Sequence, residues 1–204
     1  MITSLQQLDF KKQYSYSDYI KWKFQDRVEL LKGWIFPMAA PNVVHQTISG
    51  NLYWILASYF RKEKKSCRLF AAPFDVRLPL PKNKIKGYKI STVIQPDLCV
   101  VRDTNKLDKQ GCVGAPDLIV EILSPGNSKK EMRDKYELYE EVGVLEYWVV
   151  DPARRHVLTY VLKEGQFVSA SRPLSDEDTL TSVIFEDLKI DLMEVFPEEE
   201  DTEE

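Results

Sequence analysis

Near-continuous apolar runs, three- and four-residue apolar spacings and paired apolar arms across glycine turns divide this chain into elements. The runs are rich in β-branched residues and bounded by Gly and Pro, which predicts strands buried on both faces. Val93 to Val101 is one such run and carries a single acid, Asp97. Pro116 to Pro125 is a second, carrying Asp117 and Glu121, and Glu146 to Asp151 returns to the same pattern. Helical spacing predicts a long helix from Val43 to about Lys64, introduced by Pro41-Asn42, on Val44, Ile48, Leu52, Ile55, Leu56 and Tyr59. It predicts another over Ser128 to Val142, with Met132, Tyr136, Tyr139 and Val142 on its buried face. Hairpins are expected at Val28 to Met38, turning at Lys32-Gly33, and at His156 to Ala170, turning at Glu164-Gly165.

The remaining segments are shorter. Arg68 to Leu78 is expected as one strand with Asp75 in its second half, followed by a basic loop from Pro79 to Lys89. A short helix opens at Tyr16, with Ser15 or Ser17 as its cap, and two late strands are expected at Ser182 to Phe185 and Lys189 to Asp191. The order helix, strand, strand, strand, helix, strand, flanked by hairpins, implies an α/β (α+β) domain with a mixed central sheet and helices on both faces. One domain over residues 1–196 and an acidic, disordered tail over 197–204 are expected.

Composition narrows the class. A 44% hydrophobic and 11% aromatic content belongs to a folded chain. No apolar run approaches the roughly 18 residues that span a bilayer, and Met1 to Lys12 is too polar for a secretory signal. Cys67, Cys99 and Cys112 share no metal-ligand spacing, which with only two histidines argues against zinc and for reduced thiols in a cytoplasmic protein. The net charge of −4 is concentrated in the last eight residues, which hold six acids; the rest of the chain sums to +2. Basic clusters at Arg61 to Arg68 and Lys82 to Lys89 attract phosphate backbones, although such runs are more often solvated ends and loops.

The acids then stand out. A carboxylate inside a buried strand is costly unless a cation compensates it. Two such strands, bearing Asp97 and Glu121, therefore mark a candidate site for phosphodiester hydrolysis, which needs hard oxygen ligands and a nearby cation. Asp117, four residues before Glu121 and on the same face, reads rather as a loop anchor. Two residues after Glu121, where a lysine would serve, stands Leu123. Lys135 is the replacement, on the edge of the apolar stripe of the following helix, with Lys129 and Lys130 as more exposed rivals.

These blocks in order resemble the Uma-type restriction-endonuclease family of the PD-(D/E)XK phosphodiesterase superfamily. They are Gln95-Pro96-Asp97, Ala115 to Pro125, Arg133-Asp134-Lys135-Tyr136 and Glu146 to Asp151, within a match from about Val28 to Val161. The resemblance implies a restriction-endonuclease-like core, Asp97 and Glu121 as ligands of Mg²⁺ or Mn²⁺, and a catalytic lysine displaced to Lys135. It also moves Glu29, His45 and Asp75 toward the site as a second tier, and implies a DNA substrate and a homodimer. Two functions compete: a metal-dependent endodeoxyribonuclease, and a catalytically silent nuclease-fold protein that binds nucleic acid or regulates. A binding module has no reason to keep two acids in buried strands, so the enzyme reading leads.

Overall fold

The computed structural model describes residues 2–62, 66–79, 90–125 and 129–197. The loop expected from Pro79, the cap at Ser128 and the tail beyond Pro197 fall largely outside them. In chain order the elements begin with α1 (Tyr16–Tyr19), β1 (Val28–Leu31), β2 (Trp34–Pro37), α2 (Val43–Lys62), β3 (Arg68–Ala71), β4 (Val76–Arg77), β5 (Val93–Ile94) and β6 (Leu98–Val101). Then come β7 (Leu107–Asp108), β8 (Gly111–Val113), β9 (Leu118–Ile122), α3 (Lys129–Val142), β10 (Glu146–Asp151), β11 (His156–Lys163) and β12 (Gln166–Ser169). The short strands β13 (Leu174–Ser175), β14 (Thr179–Thr181) and β15 (Lys189–Asp191) close the described chain.

The expected mixed central sheet is present. Among the described residues it runs β12-β11-β10-β9-β6-β3, with β13 beside β11, and β9 and β10 form its parallel pair. Strand alternation sorts its side chains between two helices. Leu98, Val100, Leu118, Val120, Trp148 and Val150 pack under Ile48, Leu52, Leu56 and Phe60 of α2. Cys99, Ile119, Tyr147 and Val149 face the other way, onto Leu138 and Tyr139 of α3. On α2 the buried stripe lies slightly off the expected one: Val44 is exposed and Phe60 takes a core position. Burial pushes the Cys112 thiol up to about 11 and the Cys99 thiol higher still, so neither serves as a nucleophile near neutral pH.

A second sheet, β2-β1-β5-β4-β8-β7, was not anticipated, and it corrects two expected strands. Arg68 to Leu78 is not one strand: β3 pairs with β6 in the central sheet, whereas β4 pairs with β5 and β8 in the second. Val93 to Val101 divides likewise into β5 and β6. The breaks fall at Ala72-Pro73 and Gln95-Pro96, where a proline has no N–H to give to a ladder. At each break the chain passes from one sheet to the other. Gly111 seals the second sheet, because a Cβ there would lie 2.1 Å from the Asp75 carbonyl oxygen. The hairpin turn falls at Lys32-Gly33, both at positive φ (51° and 89°) as a two-residue turn requires.

Ser182 to Phe185 is also not a strand; β15 pairs instead with Thr179–Thr181. The reason is Glu146, fully buried on β10. Its carboxylate accepts hydrogen bonds from Ser182 Oγ (2.7 Å), the Val183 amide (3.1 Å), the Ile184 amide (3.0 Å) and Trp148 Nε1 (2.7 Å). Those amides cap a carboxylate and so cannot enter a ladder. No helix among the described residues is long and apolar enough to cross a membrane.

Candidate active site

The two crossings between sheets bring together acids that lie far apart in sequence. Glu121 shares the α3-facing side of β9 with Ile119 and is 8% exposed. Lys135 enters from α3 on the stripe that buries Leu138 and Tyr139, its aliphatic stem packed and its ammonium turned toward the sheet. Its Nζ lies 3.0 Å from Glu121 Oε1 and 3.2 Å from Glu29 Oε2, across the junction on β1. Tyr139 donates its hydroxyl to the same oxygen of Glu121. Glu29, 2% exposed, accepts the Gln95 amide at 2.8 Å through Oε1.

Asp97 stands at the second crossing, just before β6. Its Oδ2 accepts the Ile122 amide at 2.7 Å, which pins it beside the end of β9. His45 Nε2 lies 3.3 Å from that oxygen. The His45 amide is capped at 2.9 Å by Asn42 Oδ1, fixing the first turn of α2 and with it the ring. Glu29, His45, Asp97, Glu121 and Lys135 all line one cleft of about 430 Å³.

The cluster holds more acid than base, and its proton affinities reflect this. Burial raises the Glu121 carboxyl above the usual carboxylate range; Lys135 opposes this, and the charges of Asp97 and Glu29 reinforce it. Burial pulls the Lys135 ammonium down, but the carboxylates of Glu121 and Glu29 outweigh it and hold it above its usual range. Burial likewise disfavours a charged His45, yet contact with Asp97 prevails and raises the imidazole.

The other expected residues divide. Asp75 lies at the first crossing and outside the cleft, where Oδ1 accepts Gln95 Nε2 at 2.9 Å and the Tyr19 hydroxyl at 3.2 Å. Among the described residues it meets the site through Gln95. Asp117 anchors a loop, accepting the Arg102 amide at 2.8 Å. Lys129 and Lys130 are exposed, while Leu123 is half-buried at the end of its strand run. Ser15, rather than Ser17, opens α1, its amide donating to Asp18 Oδ2 at 2.9 Å. Three contributors escaped the sequence reading. Arg27 lines the cleft and is held by Gln95 Oε1 (3.1 and 3.0 Å), and nothing in its surroundings in the sequence marks it. The Gln95 side chain lay within a recognised motif without an assigned role. Apolar spacing alone places Tyr139 in the core; its four-residue spacing from Lys135 is the signal that also brings it to the site.

Asp97 Oδ1 and Glu121 Oε2 accept no hydrogen bond among the described residues, and both carboxylates line the cleft. Two hard carboxylates with open neighbouring space suit Mg²⁺ or Mn²⁺, which keep several waters. Among the described residues no three His, Cys, Asp or Glu side chains are grouped so as to hold a metal ion, so the candidate ligands there are the two carboxylates alone.

A mixed sheet between two helices, with acids and a lysine gathered at one end, defines a nuclease-like fold. The chain belongs to the Uma2 family, described as "Putative restriction endonuclease", whose family model matches residues 16–193. A solved structure with the same fold is "a putative nuclease belonging to DUF820 from Anabaena variabilis". It is 17% identical, with a TM-score of 0.68, over 90% of this chain and 97% of that one. No curated protein matches the chain.

Proposed function

We propose that the protein is a metal-dependent endonuclease that hydrolyses phosphodiester bonds in DNA, with Asp97 and Glu121 as the metal ligands and Lys135 as the catalytic cation. The observation that carries this reading is the surplus of carboxylates over cations at the base of the cleft. Glu29, Asp97 and Glu121 are held in an apolar junction against Lys135 and His45, an arrangement that a further cation would complete. Bound Mg²⁺ or Mn²⁺ would polarise the scissile phosphate and make an attacking water more acidic.

The chain's own groups would do the rest. Lys135 keeps its proton between two carboxylates, which favours a charge-assisted hydrogen bond to a phosphate oxygen over service as a base. Glu29 holds the ammonium in place if Glu121 turns toward a ligand. His45 and the Ile122 amide both hold Asp97 by Oδ2, which leaves Oδ1 for a ligand. Arg27, clamped by Gln95 at the cleft wall, offers a second positive group to a phosphate backbone.

The deciding experiment incubates plasmid and single-stranded DNA with Mg²⁺ or Mn²⁺ and the wild-type, Glu121→Ala or Lys135→Ala protein. Cleavage that requires metal and disappears in both variants is expected. Cleavage that survives both substitutions would trace to a contaminant. Absence of both cleavage and calorimetric metal binding would leave a nuclease fold that binds or regulates.

A further inference from the structure

The cleft continues onto a surface that the chemistry above does not use. Beyond His45, the wall of the cleft on α2 is made by Gln46, Ser49, Gly50 and Tyr53. These positions follow one another around the helix and lead out of the cleft to Trp54, four residues beyond Gly50. Trp54 is 71% exposed and Tyr53 41%, an unusual display for large aromatic side chains on a helix. From Val43 to Phe60 the helix holds no Asp, Glu, Lys or Arg, and Arg61 and Lys62 then end it. Gly50 lies between the two ends of this surface, and a Cβ added there would meet nothing within 4 Å. Internal packing therefore gives no reason for a glycine in mid-helix, a residue that costs helix stability.

We propose that this face of α2 is a stacking platform for the unpaired bases of a nucleic-acid strand whose backbone enters the cleft, so that single-stranded or locally unpaired substrate is preferred. The proposal rests on the nuclease reading of the cleft and adds the substrate class. Aromatic faces gain energy from bases only where those bases are not already stacked and paired with each other, which selects unpaired strands over a uniform duplex. An acid-free helix ending in Arg61 and Lys62 does not repel phosphates. Gly50 keeps the surface between the aromatic pair and the cleft low enough for a strand to cross. A second copy of the chain docked on this face would cover Tyr53, Gln46 and Gly50, and with them the cleft wall.

The test reads binding rather than cleavage. Anisotropy of a short labelled oligodeoxythymidine, with Ca²⁺ replacing Mg²⁺, is compared with that of a hairpin duplex and of oligouridine, the last separating RNA from DNA. Tyr53→Ala and Trp54→Ala should each weaken single-strand binding by about tenfold, with duplex binding changed less than about twofold and the melting temperature retained. Trp54→Phe should restore most of the loss. Unchanged single-strand affinity in both alanine variants would overturn the proposal, as would a wild-type protein that binds no oligonucleotide. A wild-type dimer that Trp54→Ala converts to monomer, with strand binding intact, would make this face an interface between copies instead. If strands bind through Tyr53 and Trp54 but nothing is cut, the platform stands and the nuclease reading fails. If cutting persists and both variants bind like wild type, the reverse holds.

Discussion

At the scale of single residues, His45 and Glu146 show two ways in which a buried ionisable side chain is held, one by an opposite charge and one by neutral donors. The His45 imidazole is raised above its ordinary value of 6.5 because contact with Asp97 outweighs burial. A raised folded-state value means stability that is fully present below the unfolded value and lost as pH rises through the folded one. In metal-free protein the His45 ring protons followed by NMR should therefore titrate above pH 6.5, and in Asp97→Asn, with burial left as the main influence, below it. Equal midpoints would show that Asp97 does not hold the ring. Glu146 is satisfied by four donors, and its removal strands Trp148 Nε1, Ser182 Oγ and two amides in the core. Glu146→Ala should cost about 3–5 kcal/mol in urea unfolding, most of it from donors left without water or partner. A loss below about 1 kcal/mol would mean that water replaces the carboxylate.

At the scale of elements, Gly50 separates local helix stability from use. Gly50→Ala should stabilise the protein by about 0.5–1 kcal/mol, a rise in melting temperature of about 1–4 °C, since the new methyl meets no neighbour. A fall would show a constraint that the helix surface does not display. Elements were also the scale most legible in the sequence. The hairpin at Lys32-Gly33, α2 and α3 lie close to where apolar spacing and turn chemistry put them, because each is specified by neighbours in the chain. The sheet crossings at Pro73 and Pro96 were hidden, since an apolar run looks the same whether it feeds one sheet or two. Of the expected second tier, Glu29 and His45 touch the central groups and Asp75 does not. What separates them is the path of the chain through the two crossings, a long-range fact that local pattern does not encode. Arg27 was illegible for the same reason: its place depends on Gln95, sixty-eight residues away.

At the scale of the whole molecule, the cleft is assembled from both sheets and both long helices, so metal binding and folding should be linked. Millimolar Mg²⁺ or Mn²⁺ should raise the melting temperature of wild type, by about 2.7 kcal/mol of stabilisation when the ion is present at a hundred times its dissociation constant. Asp97→Asn should abolish the rise, and a rise that persists would place the ion elsewhere. The spacing of the five groups, from Glu29 to Lys135, has a further consequence during synthesis. A nascent chain emerging from the ribosome exposes Glu29, His45, Asp97 and Glu121 before the helix that carries Lys135. Until that helix docks, the acids repel one another and have no ammonium to gather around. Whatever cutting power the finished fold possesses is thereby withheld until that helix is complete, a latency written into the order of the residues rather than into any inhibitor.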